Sequence, residues 1–299
     1  MTIGTRPRAR RAPARATART NVSGAASAAL RPVLDSPRKP ARVLAAFPAG
    51  LYLEVRTELE PHVIAVLTGE ATRLPNAVVL AGELPRVTVG DEAVVGDGAI
   101  EVGRISLRAR RWWNPAPPLG SADPARLAQA APAMAQICRA SSRRPGLEHN
   151  GAAEMLADGC VTGSLVGMIT AAEHLVGLGP GLTPSGDDVL AGLMVALRHL
   201  GHASGAPRAV WLADWLAAAV TFDARTRTTP ISATLLHCAA RGEASLEVLA
   251  VLRGIAGRQA LEPALARLLT LGHTSGADLA CGLRIGLDAV LGLTAERAA

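Results

Sequence analysis

Residues 114–118, Asn-Pro-Ala-Pro-Pro, separate two parts of the chain that have different hydrophobic patterns. Two X-Pro steps and a Pro-Pro pair favour extended backbone and interrupt regular structure. Before this segment, short apolar or alternating runs are broken by Gly, Pro and Asp, whereas the stretches after it contain few helix breakers. The sequence therefore predicts an α+β protein, with a small N-terminal β-barrel or sandwich followed by a larger all-helical domain.

The expected domain boundaries follow this change of pattern. We expect a β domain over residues 43–113 with about five to seven strands, a proline-rich linker over 114–120 and a helical domain over 121–299. A bulge is expected at Gly103, where the inward-facing phase of a long strand changes. The predicted strands span 50–55, 62–67, 77–80, 86–89 and 99–107, and the predicted helices span 124–140, 151–176, 186–200, 207–221, 230–241, 244–254, 260–271 and 275–291.

The positive charge of the chain is concentrated near its start. The formal net charge is +6, but residues 1–42 hold ten basic side chains and one acid, Asp35, while the remainder holds 21 basic and 24 acidic residues. We expect residues 1–42 to be a disordered Arg-rich extension. A transit peptide or a basic arm on nucleic acid remain alternatives. The body is mildly acidic, so nucleic acid is not an expected partner.

Other residue counts exclude several classes of protein. The only lysine, Lys39, lies within the expected extension, so sites that depend on a lysine in the folded body, such as a Walker phosphate loop, are not expected. Arginine must then bind anions. Aromatic residues make up 2% of the chain, which argues against stacking platforms for bases. The four cysteines form no CxxC pair, and no apolar run is long enough to span a membrane. We expect a cytoplasmic protein without a structural metal, a cofactor or a membrane partner.

A glycine-rich segment, residues 177–188, opens a predicted helix. A helix rather than a strand precedes it, so it is not a dinucleotide-binding fingerprint. Free backbone N–H groups and the helix dipole at such a position favour an anion by about 0.3–1 kcal/mol per charge. We therefore predict substrate-binding residues here, namely Gly179, Gly181, Thr183, Ser185, Gly186 and Asp187.

Part of this pattern recurs ninety positions later. Residues 185–193 align without gaps on 275–283, with Ser, Gly, Asp, Gly and Leu at identical spacing. One explanation is a pair of Ser-x-x-Asp capping boxes. The other is a paired ligand site, because capping does not explain the glycine after each serine, which suits backbone approach to a ligand, or the later glycine, which suits helix–helix contact. Both remain open.

Two further groups of residues complete the predicted site. Arg227, beside Thr228 and Ser232, forms a good oxyanion clamp, although a solvated loop with ion pairs to Asp223 explains the same residues. His273 flanks the second helix start and is suited to proton transfer, although a surface histidine is equally consistent. Asp188 and Asp278 join His273 as candidate catalytic residues. Thr274, Ser275 and Gly276 join the candidate substrate-binding residues. A divalent cation on Asp187, Asp188 and Asp278 is possible but not needed.

These three segments together resemble the AllH-type family, whose best-known member is a subunit of oxamate carbamoyltransferase in allantoin degradation. The matching residues are 179–188, Thr-Pro-Ile-Ser-Ala at 229–233 and Gly-His-Thr-Ser-Gly-Ala-Asp at 272–278. The likeness extends from about residue 43 to 291. The first segment is long and specific, and the other two support it.

The resemblance implies carbamoyl transfer between oxalurate and phosphate, giving oxamate and carbamoyl phosphate. It also implies two partners, an FdrA-like subunit related to acyl-CoA synthetases and a further carbamoyltransferase subunit. Both substrates are anions, and carbamoyl transfer passes through a tetrahedral oxyanion that preorganised donors stabilise. We hypothesise that the two helix starts converge on phosphate or carboxylate, with Arg227 as clamp and His273 as proton shuttle. The competing hypothesis is a non-catalytic assembly or anion-binding subunit.

Overall fold

Eight strands close into a β-barrel over residues 20–113 in the computed structural model, which describes residues 19–147 and 150–295. The strand order is β1-β5-β4-β3-β2-β6-β7-β8, with β1 beside β8. The β1–β8 and β4–β5 pairs are parallel and the other neighbours are antiparallel. The strands are β1 Thr20–Ser27, β2 Lys39–Phe47, β3 Gly50–Val55, β4 Val63–Leu67, β5 Ala77–Leu80, β6 Glu92–Gly96, β7 Ala99–Val102 and β8 Ile105–Trp113.

The barrel begins well before residue 43, so the expected disorder up to residue 42 is wrong for residues 20–42. They form β1, a 3-10 turn, the short helix α1 (Arg31–Leu34) and the start of β2. The buried side chains of Leu30 and Leu34 enter the barrel core. A Cβ at Gly24 would lie 2.5 Å from the Val79 carbonyl oxygen, so β1 fits only because this residue is small. Residues 1–18 lie outside the described residues.

Two of the predicted strand positions are corrected. Residues 86–89 form no strand, and β6 lies just beyond them at Glu92–Gly96. The expected strand 99–107 is a hairpin of β7 and β8. Gly103, with φ of +54°, occupies its turn rather than a bulge, because a left-handed backbone conformation suits glycine.

Ten helices, α2 to α11, follow the barrel within the described residues. The fold class is thus α+β as predicted, with a closed barrel before a helical region. One predicted helix, 151–176, is two helices separated by a turn at residues 162–164. Among the described residues no helix has the length and apolar character to cross a bilayer. The helices are α2 Pro124–Ala140, α3 Gly151–Val161, α4 Leu165–Leu175, α5 Ser185–Ser204, α6 Pro207–Phe222, α7 Ala224–Arg227, α8 Pro230–Ala240, α9 Leu246–Ile255, α10 Leu261–Leu269 and α11 Ser275–Ala295.

Helices α5 and α11 form the centre of the helical region. Gly192 and Gly282 each lie seven positions after the first residue of their helix, and they allow the two helices to approach closely. A Cβ at Gly192 would lie 2.4 Å from the Leu279 carbonyl oxygen, and a Cβ at Gly282 would lie 2.0 Å from that of Val189. Further along both helices, a Cβ at Gly286 would lie 2.5 Å from the Cβ of Ala196, so α5 and α11 run side by side in the same direction.

Candidate functional site

The starts of α5 and α11 meet. The Thr183 hydroxyl lies 2.9 Å from the Ser275 hydroxyl, and the Ser185 hydroxyl lies 3.4 Å from the Thr274 hydroxyl. Each pair joins a residue of the first motif to a residue of its repeat. The residues from the two motifs therefore form one cluster.

The two carboxylates of the repeat cross between the helices. Asp188, on α5, interacts with the hydroxyls of Ser275 and Thr183, while Asp278, on α11, interacts with those of Ser185 and Thr274. Asp278 also accepts a hydrogen bond from the Gly146 amide at 2.7 Å. Each carboxyl therefore faces one hydroxyl of its own motif and one of the repeat.

The capping-box explanation is wrong for α5. Pro184 is the N-cap and makes no side-chain capping hydrogen bond, so Ser185 lies inside the helix. The glycine after each serine also has a packing role. A Cβ at Gly186 would lie 2.0 Å from the Leu175 carbonyl oxygen, and a Cβ at Gly276 would lie 2.0 Å from that of Leu268. The close backbone approach at these glycines is to the preceding helix.

The buried carboxyls hold their protons more tightly than usual. Burial raises the pKa of Asp188 well above its ordinary value, and the charge of Asp278 adds to this, while the Ser275 and Thr183 hydroxyls oppose it. Burial also raises the pKa of Asp278, while hydrogen bonds from the Ser185 hydroxyl and the Gly146 amide act to lower it. The Oδ2 atom of each carboxyl is buried without a hydrogen-bond partner among the described residues. An anion placed here would face two carboxyls, which is unfavourable if either ionises.

Asp187 binds other parts of the predicted site together. Its Oδ1 accepts a hydrogen bond from the Gly177 amide at 2.8 Å, and its Oδ2 accepts from the Ser232 hydroxyl at 2.6 Å and from the Thr228 hydroxyl. The side chain is almost fully buried. Asp187 therefore fixes the glycine-rich loop to the start of α8.

The glycine-rich loop itself is exposed and strongly curved. Gly179 and Gly181 have φ of +116° and +99°, and both are exposed. A Cβ at Gly179 would lie 2.9 Å from the Ser185 amide nitrogen, whereas the space around Gly181 is open. Thr229 caps α8, because its hydroxyl accepts a hydrogen bond from the Ser232 amide, and the same hydroxyl donates to the Leu182 carbonyl oxygen at 2.5 Å.

The two residues assigned to clamping and proton transfer lie outside this cluster. The Arg227 guanidinium donates to the Glu173 carbonyl oxygen and lies 3.8 Å from an Asp223 oxygen, which matches the alternative of a loop with local ion pairs. His273 is exposed, and its carbonyl oxygen accepts from Arg143 at 3.4 Å. No hydrogen bond or ion pair joins the His273 side chain to any residue that the structure describes.

A cavity of about 350 Å³ lies between the barrel and the helices, beside Asp188. Thr183, Ser275 and Asp188 provide polar groups in a lining that is mainly apolar. The barrel wall of the cavity has no local sequence signal, because the residues that form it become neighbours of α5 only in the folded chain. The principal apolar lining residues are Phe47, Leu67 and Leu74 of the barrel and Val195, Leu235, Val248 and Leu279 of the helices.

A second contact between barrel and helices lies around Glu60, which sequence reasoning did not identify. Arg225 donates to Glu60 Oε1 at 2.6 Å, and His62 Nδ1 lies 3.0 Å from Glu60 Oε2 and 3.1 Å from the Thr234 hydroxyl. Burial acts to raise the pKa of Glu60, but the hydrogen bond and charge of His62, together with Arg225, outweigh it and lower the pKa to about 2. These contacts connect the loop before β4 to α7 and α8.

Comparison with known proteins identifies the region that carries the crossed motifs. Residues 175–287 match the family model for oxamate carbamoyltransferase subunit AllH. The predicted resemblance to the AllH family is confirmed over these residues. No solved structure matches the chain. The AllH match begins at the end of α4 and includes most of α11, so it contains both helix starts and the glycine-rich loop.

Proposed function

We propose that this chain is a subunit of a carbamoyltransferase-type complex acting on small anionic substrates, oxalurate with phosphate or, in reverse, oxamate with carbamoyl phosphate. The observation that supports it is the AllH match over residues 175–287. By resemblance, the partners are an FdrA-like subunit and a further carbamoyltransferase subunit, and the compartment is the cytosol. The reaction moves one carbamoyl group from the nitrogen of oxalurate to a phosphate oxygen.

The chemistry of the Asp188 cavity supports a specific part of this proposal. Asp188 has a raised pKa and a buried, unpartnered Oδ2, so its protonated carboxyl can both donate and accept a hydrogen bond. The neighbouring hydroxyls of Thr183 and Ser275 can do the same. An uncharged carbamoyl group has a carbonyl oxygen and an NH₂ group that match these partners. We assign Asp188 and Ser275 to contact the carbamoyl group.

The remaining predicted site residues have positioning roles in this proposal. Asp278 and Asp187 hold the two helix starts and the start of α8, and the residues bonded to them set the shape of the cavity wall. These residues are Ser185, Thr228, Ser232 and Thr274, with Gly186 and Gly276 at the close backbone contacts. The exposed residues Gly179, Gly181 and His273 and the half-exposed Arg227 stay candidates for contact with a partner subunit or substrate.

Asp188→Asn in the reconstituted complex tests the catalytic assignment. Asparagine keeps the size of the side chain but cannot supply the carboxyl proton, so we expect turnover to fall about tenfold or more while the complex still assembles. Asp158→Asn, at an exposed position of α3, is the matched control and should leave turnover unchanged. Unchanged turnover by Asp188→Asn in an intact complex would show that Asp188 is not involved. Ser275→Ala provides an independent test of the same cavity.

A specific observation also favours the second candidate function, that of an assembly subunit. Trp211, Trp215 and Phe222 are exposed on α6, Phe222 to 90%. The guanidinium of Arg208 lies 4.0 Å from the ring centroid of Trp211. Exposed aromatic residues and arginine are enriched where proteins bind one another. This face of α6 is the surface that we assign to a partner subunit.

Copurification separates the two roles. The double variant Trp215→Ser with Phe222→Ser should release the partner subunits. The isolated chain should stay folded, because Trp215 is 49% and Phe222 90% exposed to solvent. The matched control is Val166→Ser, which removes an exposed apolar side chain from α4. If the double variant assembles normally, α6 is not the interface. If assembly fails while Asp188→Asn leaves turnover unchanged, the chain is an assembly subunit only.

A further inference from the structure

A pocket of about 300 Å³ lies between α2 and α11, on the side of α11 away from the Asp188 cavity. Among the described residues that line it, four are arginines and none is acidic. Neither the sequence motifs nor the AllH resemblance assigns a role to this pocket. Its arginines are Arg139, Arg143, Arg144 and Arg284, and the remaining lining residues include Cys138, Pro145, Leu269, Ala280 and Cys281.

Among the described residues, the guanidinium groups have few hydrogen-bond acceptors. Arg284 lies 3.2 Å from an oxygen of Asp288, one turn further along α11. Arg143 and Arg144 each donate one long hydrogen bond to a carbonyl oxygen, at 3.4 and 3.5 Å. No side-chain hydrogen bond or ion pair of Arg139 occurs among the described residues. Since a guanidinium carries five donors, the described lining residues offer many more donors than acceptors.

The other polar groups of the pocket do not neutralise this charge. Burial raises the pKa of both Cys138 and Cys281, and the positive charge of Arg284 lowers it by less. Both thiols are therefore neutral at neutral pH and offer no negative charge to the arginines. The arginines are exposed or half-exposed at the mouth of an open pocket, and their combined positive charge favours a small ligand of opposite charge.

We infer that this pocket binds a small oxygen anion, a phosphate or carboxylate group held by Arg139 and Arg284 from opposite walls. Arg139 lies at the end of α2 and Arg284 in the middle of α11, so an anion between them would bridge the two helices. A guanidinium group can bind a phosphate or a carboxylate through two parallel hydrogen bonds. The site is separate from the Asp188 cavity and does not depend on the reaction proposed for it.

The pocket is also connected to the crossed helix starts. Arg143 donates to the carbonyl oxygen of His273, and the Gly146 amide donates to Asp278, so the segment that follows α2 touches both the pocket and the second motif. Pro145, between them, lines the pocket. Filling the pocket would hold this segment against α11.

Calorimetric titration of the full chain with inorganic phosphate, and separately with malonate, tests the site and distinguishes the two ligand groups. We expect saturable binding of at least one anion, weakened about tenfold or more by Arg139→Ala and by Arg284→Lys, which retains the charge but not the bidentate geometry. Arg110→Ala, at an exposed position of β8, is the control and should bind normally.

Three results would overturn the inference. They are the absence of saturable binding of both anions, binding that is equal in wild type and Arg139→Ala, and binding that Arg110→Ala weakens as much as the pocket variants do. The last two would place the anion elsewhere on this arginine-rich chain. Because the titration needs no partner subunit or turnover, failure of the carbamoyltransferase proposal would leave this result unaffected.

Discussion

The Thr183 hydroxyl lies 2.9 Å from the Ser275 hydroxyl, although 92 positions separate the two residues in the sequence. This contact joins the loop before α5 to the first residue of α11. Asp188 interacts with both hydroxyls, and Asp278 makes the equivalent contacts to Ser185 and Thr274. The two copies of the motif therefore form one cluster, in which each carboxyl faces hydroxyls from both helix starts.

Gly282→Ala should destabilise the protein through the contact between α5 and α11. Its Cβ would lie 2.0 Å from the Val189 carbonyl oxygen, so the helices must separate, at a cost of about 1–3 kcal/mol in the free energy of unfolding. Gly292→Ala on the same helix is the control. Its nearest neighbour is 3.7 Å away, so alanine should be neutral or stabilise by up to about 1 kcal/mol. Urea unfolding of both variants measures the difference, and equal stabilities would contradict the close contact.

Asp187→Ala should be among the most destabilising single changes in the helical region. It removes the acceptor for the Gly177 amide and for the Ser232 and Thr228 hydroxyls, so three donors lose their partner. We expect a loss of about 2–4 kcal/mol in thermal or urea unfolding. Ser232→Ala removes one of these donors and should cost about 1 kcal/mol. A cost of Asp187→Ala no larger than that of Ser232→Ala would show that the network is not cooperative.

The stability of the folded chain should fall as pH rises above the ordinary range of aspartate. Burial raises the pKa of Asp188, so the folded state binds this proton more tightly than the unfolded state does. The stabilisation is complete below the unfolded pKa and is lost as pH rises through the folded pKa. Asp188→Asn should reduce this slope but not abolish it, because the pKa of Asp278 is also raised. Urea unfolding from about pH 4 to 8 tests this, and equal slopes for wild type and variant would contradict it.

Glu60 should produce the opposite pH dependence at lower pH. Its pKa falls from 4.5 to about 2 because His62 and Arg225 outweigh the effect of burial. Its contribution is present above pH 4.5 and is lost as pH falls towards 2, with an upper limit of about 3 kcal/mol. Glu60→Gln should remove it, as seen in acid unfolding followed by circular dichroism. The control is Glu58→Gln, since the Glu58 side chain is fully exposed and its ion pair with Arg225 should contribute little.

The sequence predicted the helical region better than the barrel. Helix starts such as Pro124, Pro207 and Pro230 have local signals, because proline is favoured in the first turn. The strand β1 has no such signal. It depends on backbone pairing with β5 and β8 and on the absence of a side chain at Gly24, and both arise only in the folded barrel. The basic residues of this region led to a prediction of disorder, although Leu30 and Leu34 enter the core.

For the candidate site, the sequence showed the repeated motif but did not predict which residues contact one another. A Ser-x-x-Asp spacing suits a capping box, and only the packing of α5 on α11 shows that Asp188 reaches Ser275 on the other helix. The cavity walls and the arginine pocket combine residues distant in sequence, so no local pattern reports them. The only lysine, Lys39, is the first residue of β2 rather than part of an extension, so arginine is the strongly basic residue of the helical region.

The most direct test of the proposed function is the formation of carbamoyl phosphate from oxalurate and phosphate, followed by ³¹P NMR. The complex is reconstituted from the FdrA-like subunit and the further carbamoyltransferase subunit, with and without this chain. We predict that carbamoyl phosphate accumulates only when the chain is present, with one oxamate formed for each carbamoyl phosphate. The same rate of formation without the chain would contradict the account.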